Sequence, residues 1–204
     1  MSDITVEQLG ELIAQAKSKD GKPPRVTREN LQTFLRNPDG FVAGGTQYLR
    51  LLPGQPLTIG PTSGSRIIAN AVDVFKAGID GDFNNWGVNR PAKETEEMVI
   101  SPPYELVTNG KFAEIFGSLS ADPRRLCWTQ DQIIKYVVTH PDQLGANRNF
   151  FLTESGGEFF VVDVYVYDDG RLNADVGRFD LARVWRAEDR HRFFAPQLAN
   201  PLAV

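Results

Sequence analysis

Asp163 and Asp175 are predicted to face each other across a β-hairpin. Strand-like runs at residues 158–167 and 171–179 flank an Asp-Asp-Gly loop, which places Gly170 where a left-handed backbone is needed. This register collects valine, alanine and leucine on one face and pairs the two aspartates on the other. Their Cβ atoms would then lie about 5 Å apart, and the carboxylates would repel each other unless a divalent cation, a shared proton or an arginine compensates.

Paired carboxylates of this kind serve metal-assisted hydrolysis and general acid–base catalysis. Asp163 and Asp175 are therefore candidate catalytic and metal-binding residues, with His191 or Arg171 assisting and Tyr165 as the floor of a shallow site. A divalent metal is the one cofactor that the sequence suggests, and nothing in the sequence requires it. In the alternative interpretation, both aspartates face water and perform no chemistry, so whether the chain is an enzyme stays open.

Arginines near the C-terminus form a second candidate site. A helix is predicted to begin at Asp180, and three of its arginines fall within about 60° of one another, opposite its apolar side chains. The candidate binding residues are Arg183, Arg186, Arg190 and Arg192, with His191 beside them. Such a group could bind a phosphate, a carboxylate or an acidic partner, or it could be a solvated face paired with acids. The formal net charge of −4 makes nucleic acid an unlikely partner.

Two loops resemble ligand-binding loops only weakly. Residues 60–65 are predicted to lead into a helix at Ser65 whose N-terminus could hold an anion, but the loop has no lysine and contains a proline. Residues 80–87 alternate Asp and Asn as calcium loops do, yet they lack the EF-hand glycine and glutamate, which favours a capped turn. The chain has no phosphate-loop, dinucleotide-binding, zinc-protease or serine-hydrolase motif, and its single cysteine, Cys127, excludes an internal disulfide.

The elements that would position these residues predict an α+β protein. Residues 1–38 are expected to form a helix pair that serves as an arm or subdomain, and residues 39–204 the main domain. In that domain, amphipathic helices pack on an antiparallel sheet that includes a three-strand meander at about residues 150–179. Helices are expected at residues 109–119 and from Thr129, which has capping-box spacing with Gln132.

Composition and the chain's last residues decide the leading functional hypothesis. Hydrophobic residues make up 41% of the 204 positions, and no apolar run approaches the length of a membrane span. We therefore expect a cytoplasmic protein that has no secretory signal and does not associate with a membrane. The tail after Arg192 carries no charged side chain, so it must pack on its own core, on a protein partner or on a second copy. The leading expectation is a non-enzymatic interaction or assembly protein. The alternatives are a metal-assisted hydrolase that uses Asp163 and Asp175, and a protein that binds an anion or nucleic acid through the arginines at residues 183–192.

Overall fold

A seven-stranded sheet organises residues 46–198, the part of the chain that the computed structural model describes. The strands in chain order are β1 (Leu49–Leu51), β2 (Leu57–Ile59), β3 (Gly78–Ile79), β4 (Met98–Ile100), β5 (Tyr104–Leu106), β6 (Asn149–Ser155), β7 (Glu158–Val166), β8 (Leu172–Arg178) and β9 (Arg192–Phe194). Their order in the large sheet is β1-β5-β9-β6-β7-β8-β3, while β2 and β4 form a separate antiparallel pair. The helix pair predicted at residues 1–38, and the domain boundary after it, lie outside the described residues.

The α+β class is confirmed, but the prediction of a wholly antiparallel sheet is wrong. β3 runs parallel to β8 and β9 runs parallel to β6, so the sheet is mixed. Both parallel pairs join strands that are distant in sequence. Hairpin turns mark only neighbouring antiparallel strands, and therefore the sequence pattern could not predict these pairs.

The C-terminal meander and its register are confirmed. β6, β7 and β8 are antiparallel neighbours, and Val162 lies opposite Val176 as the apolar pattern requires. Gly170 has a φ of +79°, and the Tyr167 amide donates to the Arg171 carbonyl at 2.9 Å to close the turn. The binary pattern determines this register because a one-residue slip would turn the valines out of the core.

Among residues 46–198, three short α-helices flank the sheets: α1 (Asp82–Asn85), α2 (Phe112–Gly117) and α3 (Gln130–Thr139). The predicted capping box begins α3, because the Thr129 hydroxyl accepts from the Gln132 amide at 3.2 Å and the Gln132 side chain accepts from the Thr129 amide at 2.9 Å. α2 falls inside the predicted span of residues 109–119. None of the helices in the described part of the chain has the length and apolar character of a membrane span.

The two faces of the sheet carry separate apolar clusters. α3 covers one face, where Ile133 packs in a cluster with Phe151 and Phe194. α2 covers part of the other face, where Phe112 packs in a cluster with Phe150 and Phe193. Consecutive phenylalanines on β6 and β9 thus supply both clusters, because side chains alternate between the faces of a strand.

The prediction of a final helix from Asp180 is wrong. Trp185 instead bridges to Gly110 through two backbone hydrogen bonds of 2.8 and 3.1 Å, a 3₁₀ turn follows at Ala187–Asp189, and β9 then enters the sheet. Leu181 and Val184, which the predicted helix would place opposite its arginines, are 41% and 50% exposed. Pairing with β5 and β6 satisfies the backbone of β9 and buries its two phenylalanines, and a helix would forfeit both.

The helix predicted to begin at Ser65 is also absent. Residues 65–77 contain a 3₁₀ turn at Ile68–Asn70 and further turns, in which Ile68 and Phe75 are buried. The loop at residues 60–65 therefore leads into no α-helix. In the Asp-rich loop, Oδ1 of Asp80 accepts from the Asp82 amide at 3.0 Å, so the capped turn is confirmed.

Candidate functional site

Asp163 and Asp175 lie directly opposite each other on β7 and β8, as predicted. They lie on the sheet face that α2 covers in part, beyond the edge of its apolar cluster. Their environments differ: the Asp163 side chain is 8% exposed, while that of Asp175 is 40% exposed. The pair thus combines one buried carboxylate with one that water and ligands can reach.

Arg148 supplies the charge that compensates the two aspartates. Its Nη1 contacts Oδ2 of Asp163 and lies 3.3 Å from Oδ2 of Asp175. The residue immediately precedes β6, whose Phe150 is the cross-strand partner of Asp163. Because residues two apart share a face, Arg148 points to the same side of the sheet as Phe150 and Asp163. Sequence reasoning missed Arg148, although a register for β6 against β7 would have placed it beside the pair.

Arg148 compensates the negative charge of the Asp163 carboxylate only in part. The pKa of Asp163 is raised to about 6, because burial and the charge of Asp175 raise it by more than the charge and hydrogen bond of Arg148 lower it. Oδ1 of Asp163 is buried, and no donor among residues 46–198 reaches it. Oδ1 of Asp175 accepts a 2.6 Å hydrogen bond from the side-chain amide of Asn173. The Asp163 carboxyl can therefore exchange a proton near neutral pH, but its side chain is largely closed to solvent.

His191 and Arg183 lie near the carboxylate pair, because both pack against aromatic rings beside Asp163. These rings belong to Phe150 and Trp185. The His191 ring is 5.4 Å from that of Phe150 and 5.2 Å from that of Trp185, and the Arg183 guanidinium lies 4.2 Å above the Trp185 ring. Arg183 also interacts electrostatically with Asp163 and with His191. The structure thus gathers four of the candidate residues, Asp163, Asp175, His191 and Arg183, around an arginine that was not a candidate.

The environment of His191 is that of a packing residue. Burial lowers its pKa, and the Asp189 carboxylate, 3.5 Å from Nε2, partly opposes this effect. Its Nδ1 is buried and has no hydrogen-bond partner in the described chain. A neutral imidazole between two aromatic rings is poorly placed to act as a general base for a solvent-borne substrate.

The predicted arginine face does not form, because the helix that would carry it does not exist. Arg186 pairs with Glu188 at 2.8 Å and Arg190 takes a left-handed backbone with φ of +49°. Arg192 enters β9 and donates to the Gln143 carbonyl at 2.6 Å. Arg171 lies at the hairpin turn and pairs with Asp169 at 2.7 Å. Arg186, Arg192 and Arg171 therefore have separate partners and do not form one binding group.

Tyr165 adjoins the carboxylate pair on the same face of the meander. It lies opposite Asn173, and its ring packs edge-on against that of Tyr167 with 5.0 Å between centroids. Tyr165 is half-buried and Tyr167 is 45% exposed. We refer to Tyr165, Tyr167 and Asp175 as the tyrosine–aspartate surface.

A metal ion at the carboxylate pair would compete with Arg148, whose Nη1 already contacts both aspartates. Within residues 46–198, no group of three or more His, Cys, Asp or Glu side chains is arranged to hold a metal ion. The divalent metal therefore stays a prediction to be tested by titration. No protein-family model, curated protein or solved structure matches this chain, so its function has to be inferred from its own residues.

Proposed function

We propose that this protein is a non-enzymatic interaction protein whose tyrosine–aspartate surface binds a basic segment of a partner protein. The observation that carries the proposal is that Asp163 and Asp175 share the guanidinium of Arg148 on an open part of the sheet face. Two negative charges are set there against one positive charge. A lysine or arginine from a partner would complete the compensation at the exposed carboxylate of Asp175.

The two tyrosines favour the same kind of partner. Cations bind over the faces of aromatic rings, with a gain of about 0.5–2 kcal/mol that depends on desolvation. Tyrosine is also among the residue types that contribute most to binding at protein interfaces. An exposed phenol and a half-buried one beside a half-exposed carboxylate therefore suit a lysine or arginine side chain better than a neutral one.

The packing of the C-terminal tail, in its described part, favours the tyrosine–aspartate surface over the tail as the element that binds a partner. Phe193, Phe194 and Ala195 are buried in the protein's own core, and Leu198 packs against the cluster on the α2 face. These residues are packed within the protein's own fold and therefore do not offer an apolar surface to a partner. Residues 199–204 of the tail lie outside the described chain.

The test uses three pools of labelled peptides with randomised flanks and a central lysine or arginine, glutamine, or glutamate. We expect fluorescence anisotropy to show saturable binding of the basic pool that weakens as salt is added, because the attraction is electrostatic. Asp175→Asn and Tyr167→Ala should each weaken it by about tenfold, or about 1.4 kcal/mol. Asp73→Asn is the matched control, since the Asp73 carboxylate is also exposed but pairs with Arg66, outside this surface.

The proposal fails if the three pools bind equally well, or if Asp175→Asn and Tyr167→Ala bind the basic pool as tightly as the unmodified chain does. Light scattering on the same variants tests the remaining alternative. Self-association that disappears in Tyr167→Ala would make a second copy, and not a basic partner, the occupant of this surface.

A further inference from the structure

A pocket of about 310 Å³ lies between the loop that follows β2 and one side of α3. The loop contributes Pro61, Ser63 and Arg66 to its lining, and α3 contributes Asp131 and Lys135. It shares no residue with the tyrosine–aspartate surface. Its volume is at the lower end of the range of small-molecule sites.

The loop that forms one wall of this pocket is fixed by contacts with residues 92–95. Thr62 pairs with Thr95 through backbone hydrogen bonds of 3.1 and 2.9 Å and a hydroxyl–hydroxyl contact of 2.9 Å. Gly64, with φ of +71°, lies so close to the backbone of residues 92–93 that a Cβ there would clash with the Lys93 carbonyl oxygen. A wall fixed in this way loses little conformational entropy when a ligand binds.

Asp131 and Lys135 lie one helical turn apart, a spacing at which acid and lysine side chains usually pair. Here each contacts the loop instead. Lys135 Nζ donates to the Pro61 carbonyl at 2.9 Å, and Oδ2 of Asp131 accepts from the Ser63 hydroxyl at 3.2 Å. In the described part of the chain, the ammonium of Lys135 has no salt bridge. A positive charge without a paired carboxylate therefore borders the pocket.

A second cation, Arg66, and the Ser63 hydroxyl border the same space. Arg66 pairs with Asp73 at 2.8 Å, but both side chains are exposed, so this pair is weak and can yield to a ligand. The hydroxyls of Ser63 and Ser65 lie 2.7 Å apart. The loop at residues 60–65 lacks a lysine of its own, and the fold supplies one from α3.

We propose that this pocket binds a small phosphate monoester that carries hydroxyl groups, such as a sugar phosphate. The phosphate lies against Lys135 and Arg66, and a hydroxyl of the ligand replaces Ser63 as the donor to the buried Asp131 carboxylate. The Ser63 hydroxyl is then free to donate to the phosphate. Inorganic phosphate has no sugar hydroxyl to donate to Asp131, so it binds more weakly than the hydroxylated ester. This site is independent of the peptide-binding function proposed above.

The experiment titrates the full chain with glucose 6-phosphate, inorganic phosphate and glucose, with backbone amide NMR shifts as the readout. We expect saturable shifts at residues 60–66 with the ester, with a Kd at least about tenfold below that of inorganic phosphate, and none with glucose. Lys135→Met should weaken ester binding by about tenfold or more, and Asp131→Asn should reduce the preference for the ester over inorganic phosphate. Lys76→Met is the matched control, because this lysine is exposed and lies outside the pocket.

Thermal melts without ligand show first that each variant is folded, so that a loss of binding is not a loss of structure. The proposal is overturned if the ester gives no saturable shift at about 20 mM. It is overturned equally if Lys135→Met binds as well as Lys76→Met, or if inorganic phosphate and the ester bind with the same affinity.

Discussion

Asp163 lies directly opposite Asp175, and the two carboxylates share the Nη1 of Arg148. The arrangement resolves the like-charge repulsion that the hairpin register creates. It does so asymmetrically, because Asp163 is buried and Asp175 is half-exposed. Arg148 consequently has a structural role toward Asp163 and leaves Asp175 accessible from solution.

Replacing Arg148 should destabilise the fold through Asp163. In Arg148→Met, the buried carboxylate loses its cation, and removing one partner of a buried pair costs about 3 kcal/mol or more. We expect a loss of this size in the free energy of unfolding, measured by urea denaturation near neutral pH. Asp163→Asn in the Arg148→Met background should recover most of the loss, because the amide carries no charge to compensate.

Asp175→Asn is the control for this cycle. Its carboxylate keeps contact with water, and for such a pair we expect an effect of about 1 kcal/mol or less. If Arg148→Met changed stability no more than Asp175→Asn, the guanidinium would not be compensating a buried charge. The assignment of Arg148 to Asp163 would then be wrong.

Local signals predicted the parts of the fold in which one element determines its own geometry. The Val162–Val176 pairing and the glycine at position 170 determine the hairpin register, and with it the opposition of Asp163 to Asp175. Thr129 and Gln132 likewise specify the start of α3. In each case, the side chains that carry the signal are neighbours in sequence or across a tight turn, so no distant contact could override them.

The parts that were mispredicted depend on distant contacts. The segment after Asp180 has apolar residues at helical spacing, yet Trp185 pairs with Gly110 and β9 inserts between β5 and β6. Tertiary pairing overrides a local helical pattern when it buries more apolar surface and satisfies the backbone. Arg148 was missed for a related reason, since its role appears only once β6 is in register with β7.

Divalent metal ions should leave the stability of this protein unchanged. An ion that bound at Asp163 and Asp175 would have to displace Arg148. We therefore expect the same melting temperature with and without Mg²⁺, Mn²⁺ or Ca²⁺. Binding at 100 times Kd would instead add about 2.7 kcal/mol, a shift of several degrees. Such a shift, lost in Asp163→Asn, would favour the metal-assisted hydrolase.

Asp163 and His191 should couple stability to pH with opposite signs. The pKa of Asp163 is raised by burial to about 6 in the folded state from an ordinary value of 3.8. The stabilisation from its bound proton is therefore fully present below about pH 4 and is lost as the pH rises through about 6. Burial lowers the pKa of His191, so its contribution is present above about pH 6.5 and is lost as the pH falls.

Unfolding free energies of the unmodified chain, Asp163→Asn and His191→Phe, measured from about pH 4 to 8, separate the two effects. Relative to Asp163→Asn, the unmodified chain should lose up to about 3 kcal/mol as the pH rises across this range. Relative to His191→Phe, which preserves an aromatic ring beside Phe150 and Trp185, it should lose stability as the pH falls. NMR gives the direct check: the chain has two histidines, so His140→Gln identifies the His191 signal. A His191 ring that titrates at or above about pH 6.5 would contradict its role as a buried, neutral packing residue and would restore it as a candidate base.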